Sequence, residues 1–273
     1  MDARTALADL AADPDLGSRL IHLEHLPNRP ARNADPEGGL HPEVAERLAA
    51  RGIGQLWTHQ AAAVDHLRAG RSVVVATGTA SGKSLAYQLP VLARFAHDPK
   101  ATALYLSSTK ALAADQLRAL DALGVPDVRP APFDGDTPTD ARDWARRHGR
   151  WVFSNPDMLH RALLPRHGQW AMFLRRLQFV VVDECHTYRG VFGSHVALLL
   201  RRLLRVCARY GSRPTVVLAS ATVAEPAAFA ARLTGRTVAA VTEDGSPAAG
   251  RTVALWEPPL LPELTGENGA PVR

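Results

Sequence analysis

Only two cysteines occur in the 273 residues, Cys185 and Cys207. Two thiols cannot form a disulfide framework or a four-thiolate zinc site. Aromatic residues are scarce at 6 %, so a core has to be built mainly from Leu, Val and Ala. No window approaches about 18 uninterrupted apolar residues, which argues against a membrane span. The opening stretch MDARTALADLAADPDLGSRL carries acids throughout and lacks the basic-then-apolar pattern of a secretory leader. Together these absences predict a soluble protein of a reducing, cytoplasmic compartment with no membrane partner. What is present is globular in proportion, with 46 % apolar and 22 % charged residues, unlike a disordered chain. Lys and Arg number 32 against 27 acids, a net charge of +5. That mild excess is compatible with a polyanionic partner without requiring one.

The first 45 residues are poor in strand signal. TALADLAADPDLGSRLIHLEHL reads as one or two short helices, and a loop follows, so 1–45 is expected to be a helical and loop extension. Further on, short β-rich runs alternate with helical stretches. The runs are SVVVA (72–76), TALYLSS (from 102), DVRPAPF (127–133), WVFS (151–154), FVVVD (179–183) and TVVLAS (215–220). Several are apolar nearly throughout, as strands covered by helices on both faces must be. Between them, 58–69, KALAADQLRALDALG and SHVALLLRRLLRVCARYG read as helices, the last two stopping at Gly124 and Gly211. The repeat predicts an α/β domain with a mostly parallel sheet flanked by helices. RTVAAVTEDGSPAAGRTVALWEPP reads as two strands around a DGS turn, and 258–273 has Pro and Gly in linker proportions.

The most informative stretch is VVVATGTASGKSLAYQLPVL. A buried strand runs into a loop of small residues, then Gly82-Lys83-Ser84, then a helix. Small residues let successive backbone N–H groups turn inward around a phosphate, and the positive end of the helix points to the same place. Lys83 supplies a mobile charge for β- and γ-phosphates, and the Ser84 hydroxyl can enter the octahedral shell of Mg²⁺. The strict pattern has Gly six before the Lys, where Thr77 stands here; Gly78 and Gly82 supply the backbone freedom instead. An ordinary Gly-rich turn between strand and helix is the alternative. FVVVDECHTY weighs against it. It sets Asp183 and Glu184 at the carboxyl end of a strand, the edge where open α/β sheets bind ligands. Asp183 can reach Mg²⁺, and Glu184 can orient and deprotonate an attacking water. His186 is either a plain loop imidazole or a relay to the hydroxyls of Ser220 and Thr222. Cys185 reads as a small buried filler.

In this order the residues resemble the DEAD/DEAH-box helicases of superfamily 2. The segments are TGTASGKS, SSTKALAADQ, SNPDML, DECH and SAT. The resemblance is closest to the MrfA-like branch of bacterial DNA helicases, marked by GLHPEVAERLAARGIGQLWTHQ, FDGDT and DECHTYRGVFGSHVALLLRRL. It implies a RecA-like motor domain, placed at 46–257, that uses ATP and Mg²⁺ and binds a single nucleic-acid strand, DNA before RNA. DNA repair and 3′-to-5′ polarity belong to the same implication. Residue by residue, Gln60 matches an adenine-reading glutamine. Thr79, Ala80, Ser81, Gly82, Lys83 and Ser84 match the nucleotide loop. Asp183 and Glu184 match metal binding and hydrolysis, and His186, Ser220 and Thr222 match the coupling set. Without the resemblance, a solvent-facing helix residue is the alternative reading of Gln60. The family works with a second RecA-like domain that supplies arginine fingers. On this pattern 258–273 would lead toward such a domain, or a second polypeptide would carry it, and the chain alone would hydrolyse ATP slowly.

The resemblance also implies that Ser108, Thr109, Lys110, Asn155, Pro156 and Asp157 track a strand through its phosphates. Hydroxyls and N–H groups at helix starts suit that task, and simple helix capping is the alternative. Arg201, Arg205 and Arg209, with Arg202, form either a basic stripe or a solvated face. Tyr188 is placed to stack on a base or to pack under its loop, and Arg189 to meet a phosphate. Two other functional classes remain open at this stage. One is a non-catalytic ATP- and strand-binding lobe. The other is a small-molecule P-loop kinase, which strand-stimulated release of phosphate to water excludes.

Overall fold

The structure, a computed structural model, describes residues 3–14, 16–221, 223–258, 261–265 and 271–272. The chain divides into two compact units, Arg32–Ser246 and the pair Met1–Ala31 with Pro247–Arg273.

The larger unit is built on seven strands: β1 (Val73–Ala76), β2 (Thr102–Leu106), β3 (Pro130–Pro132), β4 (Trp151–Ser154), β5 (Leu177–Val182), β6 (Thr215–Ser220) and β7 (Ala239–Val241). They lie in the order β7-β1-β6-β5-β2-β4-β3, and every adjacent pair is parallel. Parallel neighbours need crossovers, and helices supply them. Among these are α1 (Thr58–Arg68) before β1, α2 (Lys83–His97) after it, α3 (Lys110–Leu123) after β2 and α4 (Gly190–Arg209) after β5.

The alternation of side chains along each strand divides the core in two. Val73, Val75, Tyr105, Val181 and Val217 pack on one face with Val64, Leu89 and Leu92 of α1 and α2. Val74, Leu104, Val180, Val182 and Leu218 pack on the other with Leu200, Leu203 and Cys207 of α4. This is why the strand sequences are apolar at successive positions. The register sets Ala76 beside Ser220 and Val182 beside Leu218. The residues that follow β1, β5 and β6 therefore emerge along one carboxyl edge.

Near the opposite edge, Arg150 is buried, with 6 % of its surface exposed. Its guanidinium donates to the carbonyls of Asp127 (2.8 Å), Asp98 (2.8 Å), Phe95 (3.1 Å) and Ala101 (3.3 Å) and lies 4.3 Å from the Phe95 ring centre. One planar fork thus satisfies backbone acceptors from the last turn of α2, the segment that follows it and the loop before β3.

In the smaller unit, helix Ala3–Ala12 agrees with the helical expectation, but IHLEHL does not. Leu20–Leu26 is a strand, antiparallel to Arg251–Trp256. RTVAAVTEDGSPAAGRTVALW is likewise not a hairpin: β7 joins the parallel sheet beside β1, while Arg251–Trp256 pairs with Leu20–Leu26. The local signals for strands were correct, and the partner came from more than 200 positions away in sequence. In the segment read as a linker, Leu261–Thr265 and Pro271–Val272 pair antiparallel. Among the described residues no helix is long and apolar enough to cross a membrane.

Replacing Arg150 by Leu leaves buried carbonyls unpaired. It is expected to cost about 3 kcal/mol or more of unfolding free energy, measured by urea titration. Arg150→Lys should recover less than half of that loss, because one ammonium cannot span the same acceptors.

Candidate nucleotide site and the adjoining groove

The loop 77–82 links β1 to α2. Its last residue, Gly82, is in the left-handed region at φ +63°, and a Cβ there would lie 2.7 Å from Trp57 and 2.8 Å from the Gln60 amide nitrogen. Glycine is thus required both for its backbone and for the space. Ala80 is also left-handed, at φ +58°. The Thr77 and Ser81 hydroxyls are 2.7 Å apart. Thr79 and Ala80 are exposed, Ser81 is buried, and Ser84 sits in the first turn of α2.

The Lys83 ammonium donates to the carbonyls of Gly78 (2.6 Å) and Thr77 (3.2 Å). Burial pulls its pKa below that of a free lysine, while Glu184, Asp183 and Asp244 oppose the shift. Asp183 and Glu184, the two expected acids, and Asp244 thus lie near enough to act on the charge of Lys83, whose hydrogen bonds go to the two carbonyls. Asp244 carries no sequence signal for this role. It becomes visible only when the segment after β7 is seen beside Gly78, whose Cβ position lies 3.2 Å from Asp244 Oδ2.

Asp183 is buried. Its Oδ2 accepts from the Tyr105 hydroxyl (2.7 Å) and lies 3.1 Å from that of Tyr87, and its Oδ1 accepts from the Glu184 N–H (2.9 Å). Burial pushes both tyrosines well above an ordinary phenol, so they remain neutral donors. The Tyr87 hydroxyl also adjoins Ser84. Ser84 and Asp183, the two residues expected at Mg²⁺, thus share a neighbour and offer hydroxyl and carboxylate oxygens, the donor types that cation prefers. Tyr105 belongs to a strand run and Tyr87 to the helix after the loop, and neither was singled out by the sequence.

Glu184 is left-handed at φ +47°, which turns the chain sharply after β5. Its Oε2 lies 3.1 Å from His186 Nδ1, and the same nitrogen lies 3.3 Å from the Ala221 N–H. With its proton on Nδ1 the ring donates to Glu184; without it, Nδ1 accepts from Ala221. The link from His186 to the end of β6 therefore runs to a backbone N–H and not to the expected Ser220 hydroxyl, which is buried beside the Cys185 thiol. Thr222 lies outside the described residues. Cys185 is fully buried, and burial raises its thiol to about 12.

Gln60 is buried at 2 % exposure, so the solvent-facing reading fails. Its Oε1 accepts from Trp57 N–H (3.0 Å) and its Nε2 donates to Gly82 O (2.9 Å). A pairing with adenine would use the second lone pair and second hydrogen of the amide.

A second cluster forms past β2 and β4. Thr109 and Asn155 cap the helices they precede, accepting from Leu112 N–H (3.3 Å) and Met158 N–H (2.9 Å). Ser108, Lys110, Asn155, Pro156 and Asp157 line one cavity of about 890 Å³, and Phe192, His195, Arg202 and Arg205 of α4 close its other side. Lys110 is paired with Asp136 at 2.5 Å, so the FDGDT segment reaches this groove. The four-residue stripe on α4 does not act as one. Arg202 and Arg205 line the groove, whereas Arg201 donates to Arg232 O (2.7 Å) and lines a separate cavity of about 780 Å³. Arg189 lines that second cavity too, so it is not brought together with Ser108, Lys110 and Asn155. Tyr188 is packed at 1 % exposure, its hydroxyl unpartnered, and it is not available to stack.

Residues 57–229 match the family model described as DEAD/DEAH box helicase. The chain is 39 % identical over 262 residues to the uncharacterized ATP-dependent helicase YprA of Bacillus subtilis, covering 94 % of this chain and 35 % of that protein. It is also 39 % identical over 254 residues to the ATP-dependent helicase HRQ1 of Saccharomyces cerevisiae, covering 90 % of this chain and 23 % of that protein. Among solved structures it resembles the DUF1998 helicase MrfA bound to DNA and AMPPNP, with a TM-score of 0.90 and 38 % identity, covering 97 % of this chain and 37 % of that one. The chain thus spans about a third or less of the length of these relatives.

Gly82→Ala is expected to destabilise the unit by about 1–3 kcal/mol, from left-handed strain and overlap with Trp57, read by chemical denaturation. Cys185 and Cys207, whose thiols burial raises to about 12 and about 11, should be inert to Ellman's reagent at pH 8 until the protein is unfolded.

Proposed function

The chain belongs to the DEAD/DEAH box helicase family, and from that premise we propose that it is the nucleotide- and strand-binding lobe of an ATP-driven DNA helicase. The observation that carries this reading is that the loop after β1, with Lys83, and the end of β5, with Asp183 and Glu184, emerge along one carboxyl edge of the sheet. A cation on a small-residue loop at a helix start, with two acids nearby, suits the terminal phosphates of a nucleoside triphosphate and its metal. A cytoplasmic location goes with this reading.

Lys83 would exchange the carbonyls of Thr77 and Gly78 for phosphate oxygens as the triphosphate enters, and the loop N–H groups would complete the cradle. Ser84 and Asp183 would hold Mg²⁺, which when bound neutralises the charge on the β- and γ-phosphates. Tyr87 and Tyr105 fix the Asp183 carboxylate and keep it from turning. Glu184 takes a proton from the attacking water. The new bond from water oxygen to the γ-phosphorus forms as the bond to the bridging oxygen breaks, leaving a diphosphate and inorganic phosphate. His186 holds Glu184 before the reaction and can pass its change of charge to Ala221 at the end of β6, which is a route toward the strand-binding side.

The strand is assigned to the groove lined by Ser108, Lys110, Asn155, Arg202 and Arg205. Its donors suit phosphates and carry no pattern for reading bases. DNA is preferred because the MrfA relative was captured on DNA.

In a titration with fluorescent mant-ATP, Lys83→Ala should weaken binding at least about 30-fold, while Glu184→Gln should retain binding and lose phosphate release. Unchanged affinity in the Lys83 variant would falsify the assignment. For a single-stranded oligonucleotide, removing Arg202 or Arg205 should flatten the plot of log K against log salt by about 0.7 each. An unaltered slope in both would place the strand elsewhere.

A further inference from the structure

The residue before Gln60 is a histidine that none of the roles above uses. His59 is buried at 1 % exposure. Its Nε2 lies 2.8 Å from the Ser81 carbonyl, and its Nδ1 lies 3.2 Å from the Gly245 N–H. A carbonyl only accepts, so Nε2 carries a proton and donates to Ser81 O, while Nδ1 faces the Gly245 N–H and lies 3.9 Å from Asp244 Oδ1. One imidazole therefore ties the phosphate loop to the turn after β7. The turn has a second anchor on the same helix start: Arg32 N–H donates to Gly245 O (2.8 Å) and Thr58 N–H donates to Arg32 O (2.9 Å). The fit at Gly245 is tight, since a Cβ there would run into the Thr58 hydroxyl and would stand 2.8 Å from Arg32 O. The same turn carries Asp244, the third acid near Lys83.

We propose that His59 is a positioning residue. It grips the phosphate loop by the Ser81 carbonyl and couples it to the Asp244–Gly245 turn, so that loop and turn move together. The adjacent grips, His59 on Ser81 O and Gln60 on Gly82 O, pull two successive carbonyls toward α1. That leaves the N–H side of the loop to face a phosphate. When Lys83 leaves Thr77 and Gly78 for a triphosphate, the movement reaches Asp244 through the ring. This rests on the nucleotide reading above, but its test does not need the nucleotide.

The test is amide hydrogen exchange on the whole chain, comparing wild type with His59→Ala, His59→Gln and His59→Asn. Gln can place an amide donor near Nε2, and Asn an acceptor near Nδ1. The Ala variant should exchange at least about ten-fold faster at Gly245, whose N–H loses its acceptor, and in parallel trypsinolysis its loop should be cut faster after Lys83, because the Ser81 carbonyl loses its donor. Gln should restore resistance of the loop to trypsin only, and Asn protection at Gly245 only. Equal protection in Ala and wild type, or the same pattern in Gln and Asn, overturns the proposal. A thermal melt of each variant separates these local changes from general loosening. With mant-ATP the Ala variant should bind at least about ten-fold more weakly, and Gln within about three-fold of wild type. If wild type binds no mant-ATP while the exchange pattern holds, the nucleotide reading fails and the coupling stands.

Discussion

The arrangement depends on holding one ammonium, that of Lys83, on two loop carbonyls at the carboxyl edge of a parallel sheet. Burial alone drives a lysine toward its neutral form, and the acids at 183, 184 and 244 pull the other way. Each of those acids is held by groups of its own: Asp183 by Tyr105, Glu184 by His186 and Asp244 by Ser246. Loop, strand ends and turn therefore have to be placed together. The register of β1, β6 and β5 brings the ends of the strands level. Gly82 permits the close approach of α1, and the two tyrosines lock Asp183.

The same economy is seen in how the loop is supported. Its carbonyls at 77 and 78 face Lys83, while those at 81 and 82 face His59 and Gln60. A backbone segment with its acceptors occupied in this way has its remaining donors free for an anion. On the strand side the logic differs. There the donors sit at helix starts past β2 and β4 and on one face of α4, and local caps hold Thr109 and Asn155 in place. An anionic partner there has to compete with Asp136 for Lys110.

Much of this was legible before any coordinates. Apolar runs at successive positions announced strands buried on both faces, and WVFS and TVVLAS appear with the expected limits. Gly124 stops α3 in the left-handed conformation that its position implied. The sequence pattern placed Lys83 after β1 and Asp183 and Glu184 after β5, and the strands end where that pattern expected. The smaller unit was misread. Leu20–Leu26 has no partner nearby in sequence, and a strand pairing across the whole chain leaves no local trace. Arg201 and Arg205, spaced alike, were separated by what packs against each side of α4.

The sequence by itself determined the kind of protein: an alternating α/β chain with a phosphate loop and an acidic strand end, because those features are local in pattern and strict in chemistry. The tertiary structure alone decided which groups surround them. Tyr87, Tyr105, His59 and Asp244 are ordinary residues in their own segments. They matter because groups 22 to 186 positions apart in the chain are hydrogen-bonded around the loop and Asp183, and a local sequence pattern does not record such pairings.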